Sequence, residues 1–161
     1  MTFKLTKDYV LSSFAPLAEI HDLAKRKTFF TESIDSSNIT WTITGDHSLS
    51  GTRTTLEAHA AASFDRLGPK LSEPIRFLVT RIIVDAERTE ESDPEKSGWW
   101  ACVETRGEAT IKTGEPYNNE YVWLMRWNDH GKIVEIRSYF DSLMSEYVLH
   151  REIPEDSEKK P

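Results

Sequence analysis

Apolar positions change their period halfway along this chain. From Asp8 to Ile20, the residues Tyr9, Val10, Phe14, Leu17, Ala18 and Ile20 recur at helical spacing, and Pro16 predicts a kink or interruption. A second helical stretch runs from His21 to Ser33 and carries Leu23, Ala24, Phe29 and Phe30 around the basic run Lys25-Arg26-Lys27. Asp35-Ser36-Ser37-Asn38 reads as a turn. Ile39 to Thr44 alternates apolar and hydroxyl residues, which predicts a strand with one buried face. After a loop bracketed by Gly45-Asp46 and Ser50-Gly51, Thr54 or Thr55 can cap a helix reaching Leu67, with Leu56, Ala60, Ser63, Phe64 and Leu67 on its inner stripe.

From Pro74 onward the period falls to two. Pro74–Arg88, Gly98–Lys112, Tyr117–Asn128 and Lys132–Asp141 read as long strands rich in Val, Ile, Trp and Tyr. Thr113-Gly114-Glu115-Pro116 and Asn128-Asp129-His130-Gly131 are hairpin-like connections, the latter ending on a glycine suited to positive φ. Leu143–Leu149 has room for one or two helical turns. Helices first and long antiparallel strands afterwards predict an α+β fold, with N-terminal helices backing a curved antiparallel sheet that encloses a pocket.

Composition narrows the partners. A chain of 161 residues is expected to form one domain, residues 1–150, followed by a polar, charged tail at 151–161 that frays. A net charge of −7 lacks the basic face that phosphate tracking needs and disfavours an anionic membrane surface, so neither nucleic acid nor membrane is an expected partner. The one cysteine, Cys102, excludes an intrachain disulfide and a zinc framework. No stretch suits a signal peptide or a membrane span, which leaves a cytoplasmic location as the expectation. Five Trp and an aromatic share of 11% point to a large apolar core or cavity.

Three segments carry a family resemblance. Trp41-Thr42-Ile43-Thr44-Gly45-Asp46-His47-Ser48-Leu49-Ser50-Gly51 resembles the W-T-V-x-G-x-H-P-L-A-G strand and loop of SnoaL-like proteins. Gly114-Glu115-Pro116-Tyr117-Asn118-Asn119-Glu120-Tyr121 is similar to their G-x-x-Y-x-N-x-Y segment. Gly131 to Ser142 resembles their closing G-K-I-V-E-x-R-x-Y-x-D-[ST] strand. The resemblance covers Phe29 to Val148 and implies the cone-shaped α+β barrel of the nuclear transport factor two-like superfamily, commonly a homodimer. Enzymes of that superfamily include polyketide cyclases, steroid isomerases, dehydratases and limonene epoxide hydrolases, none needing a metal or organic cofactor. The chain departs from the pattern at Thr40, Ser48 and Arg53, where relatives often carry Asp, Pro and Tyr. It also lacks a carboxylate in Thr42-Ile43-Thr44, and Trp123 stands where steroid isomerases place their oxyanion acid, which argues against their chemistry.

The resemblance implies Asp141 as a water- or substrate-activating base, with Arg106 and Glu108 as electrophilic and acid partners. Asp141 can equally cap the following helix, and Arg106-Gly107-Glu108 can equally be a solvated pair on the outside of the sheet, since Glu104 shares that face. His47, in the loop after the first strand, can face the mouth of the cone or bond to backbone. Asp46 beside it stands near a water-holding position of the epoxide hydrolases. Tyr117, Asn119, Tyr121 and Trp123 alternate along one strand, either lining a pocket or forming an outer interface. Trp41, Tyr139 and Phe140 complete the expected apolar wall. No metal-ligand spacing occurs.

The expected function is a cofactor-independent acid–base cyclase or isomerase acting on a hydrophobic polyketide or terpenoid-type intermediate of secondary metabolism. An epoxide hydrolase and a non-catalytic small-molecule-binding module are the alternatives. An enclosed pocket holding Asp141 with a second titratable group supports catalysis; a filled cone, or charges facing solvent, supports binding.

Overall fold

In the computed structural model, which describes residues 2–155, an open six-stranded sheet curls around a buried apolar centre, with helices closing its concave side. Residues 156–161 of the expected tail lie outside the described residues. The strands are β1 (Thr40–Ile43), β2 (Gly51–Arg53), β3 (Arg76–Val84), β4 (Trp99–Thr110), β5 (Pro116–Trp127) and β6 (Ile133–Phe140). Their order across the sheet is β2-β1-β6-β5-β4-β3. Only the β1–β6 contact is parallel; the others are antiparallel. No helix among the described residues is long and apolar enough to cross a membrane.

The helices are shorter than the periodicity predicts, and each break has a local cause. α1 (Lys7–Phe14) starts at Thr6, whose hydroxyl accepts from Tyr9 N at 3.2 Å. Pro16 then sits in the first turn of a separate 3-10 segment (Ala15–Ala18), where its missing N–H is not needed. α2 (Leu23–Thr28) is capped by Asp22 and gives way to a wider π-type turn over Phe29–Ser33, which buries Phe29. The expected helix through Leu67 is divided into α3 (Leu56–Ala62) and α4 (Phe64–Leu67). Ser63 makes the break: its hydroxyl donates back to His59 O at 2.7 Å, and its φ/ψ of −133°/−77° leave the helical region. α5 (Ser142–Leu149) follows β6. The short strand β2 falls in the segment read as a loop, and three residues are too few to show alternation.

The centre of the sheet pairs a row of small residues with a row of large ones. On the concave face, β4 presents Ala101, Val103, Thr105, Gly107 and Ala109; opposite them β5 presents Met125, Trp123, Tyr121, Asn119 and Tyr117. All ten are buried. The large β5 side chains thus have room over β4, and Trp123 meets Phe14, Phe77 and Trp41 at ring separations of 5.4, 5.2 and 5.9 Å. Its indole N–H donates to Thr105 Oγ1 at 3.0 Å. The hairpin between β5 and β6 closes through Gly131 at φ 74°, where a side chain would run into the Tyr9 hydroxyl that donates to Gly131 O.

Gly107 is the tightest point of the small row. A Cβ there would stand 2.8 Å from Tyr121 Cε2 and 2.9 Å from Ile75 Cγ2. Gly107→Ala is expected to lower the unfolding free energy by about 1–3 kcal/mol through overpacking. Urea unfolding followed by tryptophan fluorescence measures it; an unchanged midpoint with an unchanged slope would show that the ring yields freely.

Candidate functional site

The concave face does not close completely. An apolar cavity of about 40 Å³ remains between the sheet and the α3–α4 segment, with Trp41, His59, Ser63, Tyr121, Trp123 and Phe140 among its lining residues. That volume suits about one or two waters and no organic ligand. Beside it, a cleft of about 440 Å³ opens between α2, α4 and the start of β3. The two share Phe64, Leu67, Ile75 and Phe77 as a common wall. The cleft lies within the size range of small-molecule sites, and the inner cavity extends it behind a partition of four side chains.

His59 is the polar residue that the inner cavity sets apart. It is 2% exposed, and its ring stacks on the Trp41 indole at 3.7 Å and 14°. The spacing of α3 and the Ser63 break place Ser63 Oγ 3.2 Å from His59 Nε2. The single Ser63 hydroxyl proton goes to His59 O, so Oγ meets Nε2 only as an acceptor. Nε2 therefore carries the ring proton, and Nδ1 is a bare lone pair with no hydrogen-bond partner among the described residues. Burial, reinforced by the positive charge of Arg53, pulls the His59 pKa from 6.5 down to about 3, so the ring is neutral at neutral pH.

A buried hydroxyl network stands on the opposite wall. Tyr121 and Tyr117 share a hydrogen bond of 2.5 Å, and Asn119 Nδ2 donates to Tyr117 Oη at 3.1 Å. Asn119 also clamps the end of β6, accepting from Asp141 N at 3.1 Å and donating to Asp141 O at 3.1 Å. Ser145 of α5 joins the same group, 3.3 Å from Asn119 Nδ2. Burial foremost, and then the neighbouring Tyr117, push the Tyr121 pKa well above its ordinary value, so this phenol is also neutral.

The residues singled out from sequence divide by face. Tyr117, Asn119, Tyr121 and Trp123 lie on the concave side, with Tyr121, Trp123, Trp41 and Phe140 lining the cavity. Asp141 is exposed at the rim and caps α5, its carboxylate accepting from Leu143 N at 3.0 Å and Met144 N at 3.3 Å. Arg106 and Glu108 pair with each other on the convex face, with side chains 55% and 35% exposed. Glu104, on the same face, accepts from the Thr80 hydroxyl. Tyr139 is on the convex side as well, beside Arg137, and Asp46 is exposed. His47 spends both ring nitrogens on its own loop, Nε2 with Thr44 O at 2.9 Å and Nδ1 with Leu49 N at 3.3 Å, while its ring packs edge-on against Phe140.

Asp141, Arg106, Glu108 and His47 are thus not brought together in one pocket. The structure instead brings together His59, Ser63, Ser138, Tyr121 and Ser145 around the cavity. The i, i+4 spacing of His59 and Ser63 beside the stripe of Leu56, Ala60, Phe64 and Leu67 was the available signal for the first two. Among the described residues no group of three or more His, Cys, Asp or Glu side chains could hold a metal ion.

No family model matches the chain, and no curated protein matches it. Solved structures do. Bal32a, from a soil-derived mobile gene cassette, superposes with a TM-score of 0.62 at 18% identity over 89% of this chain and 95% of its own. An NTF2-like protein from Burkholderia thailandensis gives 0.60 at 16% identity, covering 89% and 96%. TerC, co-crystallised with polyporic acid, gives 0.56 at 17%, covering 89% and 97%. The chain therefore has the NTF2-like fold, an α+β cone whose sheet stays open.

The neutral His59 makes a pH prediction. Its folded pKa lies below the unfolded value, so as pH falls the unfolded chain takes up the proton first. The stability linked to His59 is complete above about pH 6.5 and is lost as pH falls toward about 3, by up to ~1.4 kcal/mol per pH unit. A His59→Phe variant keeps the stack on Trp41 and is expected to lose that part of the slope between pH 6 and 4. Urea titrations of both proteins across this range measure the difference; parallel pH profiles would show that His59 protonates normally in the folded state.

Proposed function

We propose that this chain binds a small, flat, largely apolar molecule carrying one hydrogen-bond donor, with the cleft as the seat of its body and the inner cavity, widened by a shift of the α4 turn, admitting its donor end. The observation that carries this reading is the unpartnered His59 Nδ1 inside an apolar cavity that adjoins a ligand-sized cleft. A buried acceptor without a partner costs about 1–3 kcal/mol, and a ligand O–H or N–H recovers it. The helix break at Ser63 leaves α4 as a single turn bearing Phe64 and Leu67, so displacement of that turn merges cavity and cleft. Aromatic walls from Trp41, Trp123 and Phe140 suit a planar ligand.

A second reading is favoured by the pairing of His59 with Tyr121. These two ionisable groups line the same apolar cavity, both uncharged, one offering a lone pair and the other a phenol. In a cofactor-independent cyclase or isomerase acting on a polyketide- or terpenoid-type intermediate, His59 takes a proton from the substrate and the Tyr121 phenol supports the developing oxyanion. A conjugate acid near 3 makes His59 a weak base, which is why binding is the first reading. Under both readings the capping geometry supports a positioning role for Asp141, and the convex face supports no part for Arg106 and Glu108 in the cone. Pairing of two copies, which the family resemblance implies, belongs to the same proposal; on the convex face Ile83 and Tyr139, 57% and 41% exposed, are apolar groups that such pairing would cover.

Titration of tryptophan fluorescence with 2-naphthol and 2-methoxynaphthalene tests the first reading, since Trp41 and Trp123 line the cavity. The phenol is expected to bind about tenfold tighter than its methyl ether, and His59→Phe to erase the preference. Equal affinity of the two for the unaltered protein would remove His59 from the site. Mass spectrometry of enolisable polyketide-like ligands recovered after incubation in deuterated water separates the readings: exchange that needs His59 supports proton transfer, and ligand returned unlabelled supports binding alone.

A further inference from the structure

Among the described residues, Arg26 is a cation without a counter-charge. It lies at the end of α2, is only partly exposed, and lines the 440 Å³ cleft among Phe30, Phe64, Leu71 and Phe77. Its Nη1 donates to Leu17 O at 2.8 Å and to Glu19 O at 3.1 Å, and its guanidinium carbon stands 5.9 Å from the centre of the Phe77 ring. Two backbone carbonyls and one aromatic ring thus hold the group in place. None of them neutralises it. Among the described residues no carboxylate forms an ion pair with Arg26, and Nε and Nη2 have no hydrogen-bond acceptor. Arg88, Arg126 and Arg151 are paired, with Asp129, Glu135 and Glu115, whereas Arg53 is held like Arg26 by backbone carbonyls but does not line the cleft.

We propose that Arg26 is the anion anchor of the cleft, and that the ligand is an amphipathic acid whose planar apolar body fills the cleft while its carboxylate or enolate meets the free edge of the guanidinium. This deepens the preceding reading of cleft and cavity as one binding site and rests on it. The chemistry follows from three placements. The partition residue Phe77 lies under the guanidinium, so an anion there sits at the boundary between cleft and inner cavity. The two carbonyl contacts fix the plane of the fork and leave Nε and one Nη pointing elsewhere, the pair that a carboxylate accepts from side-on. The aromatic surroundings lower the local polarity around this partly exposed group, which strengthens the charge-assisted bonds that an anion makes there. Burial of the guanidinium lowers its pKa from the ordinary value and leaves it charged at neutral pH. The cleft also holds one carboxylate, Glu73, half-buried and not paired with Arg26; it opposes an anion and so confines the acid group to the Arg26 end.

The test compares 2-naphthoate with 2-naphthamide, isosteres that differ in charge, by isothermal titration of the full chain at neutral pH. Naphthoate is expected to bind at least tenfold tighter to the unaltered protein, a comparison that needs no variant. Arg26→Met is expected to abolish the preference, Arg26→Lys to keep part of it, and Glu73→Gln to increase it severalfold; thermal melts check that each variant folds. Equal binding of the two naphthalenes overturns the anion anchor and leaves the apolar site standing. A preference that survives in a folded Arg26→Met protein also overturns it. Binding of neither compound overturns the cleft reading together with the anchor.

Discussion

The fold depends on a difference in size between two neighbouring strands. β5 carries Tyr117, Asn119, Tyr121, Trp123, Met125 and Trp127 on its inner face, and β4 answers with Ala109, Gly107, Thr105, Val103 and Ala101 beside the first five. Over this stretch the small row leaves room above β4 and lets the β5 rings lean across it, and where the row ends Trp99 pairs directly with Trp127. The rings then meet Phe14 from α1, Phe77 from β3 and Trp41 from β1, so one strand's side chains tie together elements from both ends of the chain. The cone is filled mainly by this interdigitation, and the small inner cavity is what it leaves over.

Polar groups within such a packed interior must be satisfied, and the chain does so with short reciprocal networks. Asn119 holds both backbone groups of Asp141 and thereby sets where β6 ends and α5 begins. Tyr117, Tyr121 and Ser145 take up the remaining hydrogen-bonding capacity on that wall. The buried indole N–H groups of Trp99 and Trp127 lack a partner among the described residues; at the cavity and the cleft, His59 Nδ1 lacks a donor and the Arg26 guanidinium a counter-charge. His59 and Arg26 lie on either side of the partition formed by Phe64, Leu67, Ile75 and Phe77. An acceptor within and a cation without describe a ligand with a donor at one end and an anion at the other, joined by an apolar body.

Much of the architecture was readable from sequence. The change of period at Pro74, the Thr55 cap, the hairpin ending on Gly131 and the motifs resembling SnoaL-like proteins led to the α+β cone that the structure displays. Element ends were less legible. The break at Ser63 arises from a hydroxyl returning to the carbonyl of His59, and a helical stripe of apolar residues runs through that point without interruption. The candidate site was legible in part. Tyr121, Trp123, Trp41 and Phe140 line the cavity, whereas Asp141, Arg106 and Glu108 face solvent at the rim or on the convex side. Charged residues at alternate strand positions look alike whether they point into a cone or away from it.

By itself the sequence determined which segments are helix and strand, which residues share a face, and that one strand would carry a row of aromatic rings. Those properties follow from local periodicity and backbone preference, which neighbouring residues encode. Tertiary structure decided which of the two faces is concave, that His59 is buried and neutral, and that Arg26 has no counter-charge among the described residues. Strand alternation is symmetric between faces, and only the curvature of the sheet and the helices packed against it break that symmetry. Desolvation and charge pairing likewise depend on groups distant in the chain: His59 meets Trp41 of β1, and Arg26 meets the Phe77 ring of β3. Such encounters exist only after the chain has folded.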